Sequence, residues 1–461
     1  HLNGVLADDM GLGKTLQTLT LLTGLHHEKR AATLVVVPTT LLFNWEAEIQ
    51  KYTPTLKVLR YEGRSRENLA KKMDEADIVL ISYTVLRRDI RKLANKRFYY
   101  VVLDEAQTIK NPQSKTTQAV MELKSEHRLA LTGTPIENRI TEIWSIFHFL
   151  LPAYFKDINA FKAEFIGAPS AVPDPQKIAE LQTRIRPFIL RRMKENIALE
   201  LPPKTESYVY CDLGEHQAKL YQDVLDKHKS VIREKIETEG FRKAQVHIFS
   251  LLTQLRQICC HPNLVDSTTP EAESHKFELL KDRIEQLLPG RHKIVIFSQF
   301  VRMLTIMQTW LDDMEVPYEI LTGQTKDRQG VVNRFNEDAS VRIILVSLKA
   351  GGTGINLTAA DYVFHYDPWW NPAVENQASD RVHRIGQTKP VLVIRLAVED
   401  SVEDHILVLQ QRKRFLLQSA IEADADGVKK LTRADLDAIF GGAGSGPILK
   451  YRSAIGQADD L

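Results

Sequence analysis

The residues Ala7-Asp8-Asp9-Met10-Gly11-Leu12-Gly13-Lys14-Thr15 have the types and the spacing to hold a chain of phosphates. The apolar run Gly4, Val5, Leu6 and Ala7 predicts a short buried strand, and Leu16, Leu19, Leu22 and Leu25 continue at helical spacing. A strand feeding a Gly-rich turn and then a helix leaves backbone N–H groups at the helix N-terminus that can cradle phosphate oxygens. Gly11, Leu12 and Gly13 would form that cradle, Lys14 would reach the outer phosphates, and the Thr15 hydroxyl would ligate Mg²⁺. The strict pattern has Gly where this chain has Asp8, so the match is partial.

A second group of reactive types follows the β-branched and aromatic run Tyr99–Leu103, which ends in Asp104-Glu105-Ala106-Gln107. Asp104 is suited to hold Mg²⁺, directly or through water, and Glu105 to accept a proton from an attacking water. A helix N-cap followed by a first-turn acid would read the same way in isolation. Leu131-Thr132-Gly133-Thr134-Pro135 sets hydroxyls around a glycine at another strand end, where they could sense the phosphates, or simply make a turn closed by Pro135. Far downstream lies Gln377-Ala378-Ser379-Asp380-Arg381-Val382-His383-Arg384-Ile385-Gly386-Gln387. On a helix Arg381 and Arg384 face one side, and two guanidinium groups there suit the charge of a transferring phosphoryl group; an exposed basic helix face is the plain alternative.

These groups need a scaffold. Strand-like runs at Thr33–Val37, Leu56–Leu59, Ile78–Ile81, Tyr99–Leu103 and Arg128–Leu131 alternate with helical patterns such as Leu41, Trp45 and Ile49, which predicts a parallel sheet covered by helices. In such sheets ligands sit at the carboxyl ends of the strands, where both the Gly-rich turn and the Asp104 quartet fall. From Ile140 to about Leu264 the texture is mostly helical. There Arg184, Arg186, Arg191, Arg192 and Lys194 cluster around Pro187–Leu190, as a solvated basic face or as contacts to phosphate backbone. The polar stretch Val265–Ser274 reads as a linker. A second series of strands begins at Lys293–Ser298 and recurs at Tyr318–Leu321, Arg342–Ser347, Tyr362–Tyr366 and Val391–Leu396, predicting a second parallel lobe. It includes the loop Gly351–Gly354 and Asp367-Pro368-Trp369-Trp370-Asn371-Pro372, whose tryptophans could meet a ligand or pack.

The chain has 461 residues, enough for two or three domains, with the apolar and charged content of a globular protein. Its 61 Lys and Arg stand against 59 Asp and Glu, which argues against a bulk basic surface; nucleic-acid contact would have to come from local patches. Cys211, Cys259 and Cys260 form neither a disulfide framework nor a four-ligand zinc pattern, and they suit a reducing compartment. No apolar run approaches a membrane span and no signal peptide is visible. Because His1 stands almost directly on the Gly-rich motif, the sequence reads as a fragment lacking an N-terminal portion.

Taken together, DDMGLGKT, PTTLLFNWEAEI, DEAQ, LTGTPIEN, VSLKAGGTGINLT and DPWWNPAVENQASDRVHRIGQ resemble the SWI/SNF-like family of DNA-dependent ATPases, from Asn3 to about residue 420. RPFILRRMK and LRQICCHPNL match phrases typical of its inter-lobe region. The resemblance implies a superfamily-two helicase core: an α/β protein of two RecA-like parallel-sheet lobes with helical insertions between them. Lobe 1 would take residues 1–139, insertions and linker 140–274, lobe 2 275–400, and a brace helix with a tail 401–461. It implies ATP with Mg²⁺, bound by Gly11, Leu12, Gly13, Lys14, Thr15 and Gln377, with Thr15 and Asp104 on the metal. Glu105 would be the general base, Lys14 a phosphate-binding catalytic residue, and Arg381 and Arg384 arginine fingers that complete the site on lobe closure.

Thr39, Thr40, Ser82, Ser298, Lys349 and Trp369 match positions lining the family's DNA groove, implying double-stranded DNA held by its phosphate backbone with little sequence preference. Val402, Ile406 and Leu409 match the brace helix. The family's adenine-binding segment would precede residue 1, and the tail after Phe440 matches nothing. The implied activity is an ATP-driven duplex translocase acting on an unknown DNA-bound protein client. The alternatives are a strand-separating helicase and an ATP-gated clamp with little turnover. The location implied is cytoplasmic, nucleoid-associated in a bacterium or nuclear in a eukaryote.

Overall fold

The computed structural model describes residues 3–25, 31–63, 66–133, 140–165, 174–192, 194, 201–266, 273–351 and 354–419. Thr134 and Pro135, most of the expected linker, two residues of the Gly351–Gly354 loop and the tail lie outside these. The chain divides into two compact units, one within residues 1–200 and one within 201–415.

The first unit is built on a seven-stranded parallel sheet. Its strands are β1 (Gly4–Leu6), β2 (Thr33–Val37), β3 (Val58–Arg60), β4 (Ile78–Ser82), β5 (Arg97–Leu103), β6 (Lys124–Leu131) and β7 (Ile189–Leu190), in spatial order β3-β4-β2-β5-β6-β1-β7. Successive side chains of a strand point to opposite faces. Leu34 and Val36 accordingly join one core with Val79, Ile81, Val101 and Leu103, while Val35 and Val37 join the other with Leu80, Tyr100, Val102 and Trp45. Strands covered on both faces read as unbroken apolar runs, which is why these runs stand out in the sequence.

The second unit carries a six-stranded parallel sheet of β8 (Lys204–Cys211), β9 (Ile294–Ser298), β10 (Tyr318–Leu321), β11 (Ile343–Ser347), β12 (Tyr362–His365) and β13 (Val391–Val398), in the order β10-β11-β9-β12-β13-β8. The stretch from Ile140, expected to be mostly helical, thus contains two strands. β7 pairs with β1, and β8 pairs with β13 along eight residues from Lys204↔Val391 to Cys211↔Val398. Between β8 and β9 rise the long helices Glu215–Glu239 and Phe241–Cys260, whose facing apolar stripes meet through Leu225, Ile232, Ile248, Leu251 and Leu255.

The helix Val402–Ser419 starts against that same cluster, where Val402 and Ile406 are buried and Leu409 partly so. Its root is fixed by an ion pair. Lys276 Nζ donates to both oxygens of Glu403 at 2.8 and 2.7 Å, and neither side chain is exposed. Burial lifts the Glu403 carboxyl above its ordinary value in spite of the lysine beside it. Burial alone would lower the Lys276 ammonium, but the Glu403 carboxylate outweighs it and holds the lysine charged.

Candidate nucleotide site

In the first unit the candidate residues gather at the carboxyl ends of adjacent strands. β1 leads into the Gly-rich turn, where Gly11 and Gly13 take φ of 84° and 72°. These are left-handed conformations that glycine adopts without a Cβ clash. The helix Lys14–Leu25 follows at once, so its first N–H groups open onto the turn. Lys14 Nζ donates to the carbonyls of Asp8 at 2.7 Å and Asp9 at 3.2 Å. Gly133, beyond β6, lies against this turn. A Cβ there would stand 2.5 Å from Met10 Cγ and 3.6 Å from Lys14 Nζ, so a larger residue would have to displace the Met10 side chain.

Asp104 ends β5. Its Oδ2 accepts from the Trp45 indole at 2.8 Å and its Oδ1 from the Glu105 N–H at 2.9 Å, while Tyr83 Oη–H donates to its carbonyl oxygen. Burial, and then the Glu105 charge, raise its pKa to about 6 against the opposing pull of Trp45 and Lys14. A partly buried carboxylate at a strand end gains from a cation. The Asp104 carboxylate and the Thr15 hydroxyl are each hard oxygen donors of the kind Mg²⁺ takes beside substrate phosphates, so the residue types fit a magnesium nucleotide.

Glu105 has φ 49° and ψ 55°, a left-handed conformation that costs a non-glycine residue on the order of 1–2 kcal/mol. The bend turns its carboxylate away from the strand direction. Gln107 Nε2 donates to Glu105 Oε2 at 2.6 Å, and Thr132 Oγ1 donates to Gln107 Oε1 at 3.0 Å. The strand-end hydroxyl of β6 is thereby wired to the candidate base of β5. Gln107, the last letter of the quartet, was the readable sign of this link; Trp45 was readable only as an apolar helix position.

Asp8 is fully buried. Burial alone would raise its pKa, but hydrogen bonds from Arg192 and Gln17, with the guanidinium charge, hold it below the usual carboxylate value. In the basic cluster around Pro187–Leu190, Arg184, Arg186 and Arg191 are exposed, Arg184 pairing at the surface with Glu164 and Glu180, whereas Arg192 turns inward to the buried Asp8.

The remaining candidates lie in the second unit or at other strand ends. Gln377 is partly buried on the helix Pro372–Ser379. Arg381 and Arg384 do not share a helix face, because the helix ends at Ser379. The chain continues in turns closed by Arg381 N–H to the Ala378 carbonyl and Val382 N–H to the Ser379 carbonyl, and the Arg381 carbonyl is taken by the Leu357 N–H at 2.9 Å. Thr39 and Thr40 are exposed just past β2, and Lys349 is exposed just past β11. Ser82 and Ser298 are buried with their hydroxyls committed: Ser82 Oγ accepts from the Val85 N–H, and Ser298 Oγ donates to Asp367 Oδ1 at 2.6 Å.

Trp369 is partly buried beside the buried Arg256, whose guanidinium donates to the Pro368 carbonyl at 2.7 Å and lies 5.3 Å from the Trp369 ring centre. Arg256 also pairs with Asp367 at 3.3 Å. Its signal in the sequence was an arginine inside the apolar stripe Leu252, Leu255 and Cys259. The Trp369 N–H donates to Glu375, and Gln410 reaches both Glu375 and the Trp369 carbonyl, so the helix Val402–Ser419 and the tryptophan loop share one buried carboxylate.

Comparison with known proteins gives two family matches, the SNF2-related domain over residues 1–264 and the helicase conserved C-terminal domain over residues 275–386. An uncharacterized ATP-dependent helicase of Mycoplasma genitalium is 36% identical over 442 residues, covering 95% of this chain and 42% of that protein. The ISWI chromatin-remodeling complex ATPase ISW1 of Saccharomyces cerevisiae is 34% identical over 448 residues, covering 93% and 39%. The chain thus spans less than half the length of these relatives. Among solved structures, the Sulfolobus solfataricus SWI2/SNF2 ATPase core in complex with dsDNA is 37% identical, covers 95% of this chain and 92% of that one, and superposes with a TM-score of 0.45. Among the described residues, no helix is long and apolar enough to cross a membrane.

Proposed function

The chain belongs to the SNF2-related family, carrying its ATPase core with a helicase conserved C-terminal domain, and from that premise we propose that it is an ATP-driven translocase on double-stranded DNA that displaces or remodels DNA-bound protein. The observation that carries this reading is the convergence of Lys14, Asp104, Glu105, Gln107 and Thr132 at the ends of β1, β5 and β6. In the proposed reaction water attacks the terminal phosphorus of ATP, the bond to the bridging oxygen breaks, and ADP and phosphate leave. Glu105 takes the proton of the attacking water, held for that task by Gln107. Lys14 leaves the loop carbonyls for the outer phosphates, which offer it a stronger, charge-assisted bond. Asp104 and Thr15 would hold Mg²⁺, which supplies charge neutralisation when bound. Gln377, Arg381 and Arg384 would serve the nucleotide as well, the two guanidinium groups offsetting the charge that builds on the transferring phosphoryl group.

DNA contact would fall on Thr39, Thr40 and Lys349, which are exposed at strand ends, and on the partly buried Trp369. Ser82 and Ser298 would act by ordering the turns they cap. Binding to phosphates carries little sequence information and weakens steeply with salt. The location follows the DNA, nucleoid or nucleus according to the cell. Triplex displacement tests the reading: a third strand on a long duplex should leave only when ATP is hydrolysed, with the duplex strands still paired. Separation of the duplex instead would favour a strand-separating helicase, and neither event under active hydrolysis would favour an ATP-gated clamp.

A further inference from the structure

Asp8 occupies the position where the strict phosphate-loop pattern has glycine, and it is fully buried. A carboxylate is tolerated there only with charged and hydrogen-bonding partners. Those partners come from a distant stretch of chain. Arg192 gives its backbone N–H to Asp8 Oδ1 at 3.0 Å, its Nε to Oδ1 and Oδ2 at 3.1 and 3.0 Å, and its Nη2 to Oδ2 at 2.5 Å. Gln17, one turn into the helix, bridges the pair. Its Nε2 donates to Asp8 Oδ2 at 3.0 Å and to the Leu12 carbonyl at 2.9 Å, and its Oε1 accepts from Arg192 Nη2. The same segment continues the grip along the backbone. Ala7 N–H reaches the Leu190 carbonyl, Asp9 N–H the Arg192 carbonyl, and Lys194 N–H the Asp9 carboxylate.

Three points of the Gly-rich turn are thus fixed from outside it: Asp8 and Asp9 before the glycines, and the Leu12 carbonyl between them. We propose that Arg192 is a positioning residue of the nucleotide site, acting through Asp8 and Gln17 to hold the phosphate loop in its binding shape. The forked guanidinium matters because it spans both carboxylate oxygens and the Gln17 amide together, which a single ammonium does not. The inference rests on the reading of this turn as a phosphate loop. It also explains the departure from glycine at position 8: the side chain is the handle by which the edge segment beyond β7 reaches the loop.

The test is equilibrium binding of a fluorescent mant-ADP with Mg²⁺ to the full chain, at a temperature where circular dichroism shows each variant folded. Arg192→Ala leaves Asp8 buried and unpaired and should weaken binding at least tenfold; Arg192→Lys should weaken it several-fold. The double variant Arg192→Ala/Asp8→Asn removes the orphaned charge and keeps an acceptor for Gln17, so it should recover part of the loss yet stay several-fold weaker than wild type, because the guanidinium clamp is still missing. If Arg192→Ala does not fold, the Arg192→Lys result decides. Unchanged affinity in the single variants overturns the inference. A double variant that binds as tightly as wild type also overturns it, because the loss would then come from the orphaned charge and not from the missing guanidinium. A wild-type chain that does not bind overturns the phosphate-loop reading, and the inference with it.

Discussion

Replacing Lys276 with Met should cost far more than a surface charge change, because it strands the Glu403 carboxylate. Both side chains are fully buried, and both Glu403 oxygens are held by the ammonium at 2.7 and 2.8 Å. Removing one partner of such a pair typically costs about 3–5 kcal/mol, chiefly the cost of a buried unpaired charge. For a unit of this size, about 2–4 °C of melting temperature is lost per kcal/mol, so the drop should be roughly 6–20 °C. The repair is specific. Glu403 Oε2 also accepts from the Val398 N–H at 3.0 Å, so the second change should keep an acceptor. Lys276→Met/Glu403→Gln should recover most of the loss, because no charge is left without a partner. The assay is urea unfolding of the single and double variants at neutral pH, in a double-mutant cycle. A single variant costing under about 1 kcal/mol, or a double no better than the single, would refute the reasoning.

Three further outcomes follow from the same geometry. Glu105→Gln should keep nucleotide affinity while lowering kcat by roughly 10²–10⁴, read by single-turnover hydrolysis beside mant-nucleotide binding; undiminished turnover would remove Glu105 from its role. Trp45→Phe deletes the indole donor to Asp104 and should raise the Mg²⁺ concentration for half-maximal hydrolysis about tenfold or more, the usual effect of losing a hydrogen bond behind a metal ligand; an unchanged magnesium titration would contradict it. In acid, the second unit should lose the stabilisation of Glu206, which burial would raise but which Arg395 and Lys204 depress to about 2. A depressed carboxylate stabilises fully above its unfolded value near 4.5 and loses that contribution as pH falls toward 2; because Glu206 is exposed, solvent screening holds it to roughly 1 kcal/mol. Glu206→Gln should flatten that slope in urea unfolding between those pH values, and an identical slope would show that the acid sensitivity lies elsewhere.

Much of this was legible in the sequence, and the reason is local. β2, β4, β9 and β11 are buried on both faces, so each shows as an unbroken apolar run, and the Gly-rich turn and the Asp104 quartet sit directly at strand ends. What was not legible depends on partners far along the chain. β7 has two residues, and β8 is an edge strand whose KTESYVYC sequence is only half covered, so neither shows an apolar run. The pairing of Asp8 with Arg192 joins positions 184 residues apart, and nothing near Asp8 announces its partner. Arg381 and Arg384 lie beyond the helix, which ends at Ser379 and continues in tight turns, an end that helical periodicity does not mark. Arg256 gave a visible sign, a charge inside an apolar stripe, but the ring of Asp367, Trp369 and Trp370 that receives it could only be seen folded.

ATP hydrolysis by this core should depend on duplex DNA. Steady-state hydrolysis should be measured at low salt with no nucleic acid, with single-stranded DNA and with duplex DNA. The account predicts strong stimulation by duplex, little by single strands, and loss of the stimulation as salt rises. Equal stimulation by single strands, or a rate indifferent to DNA, would contradict it.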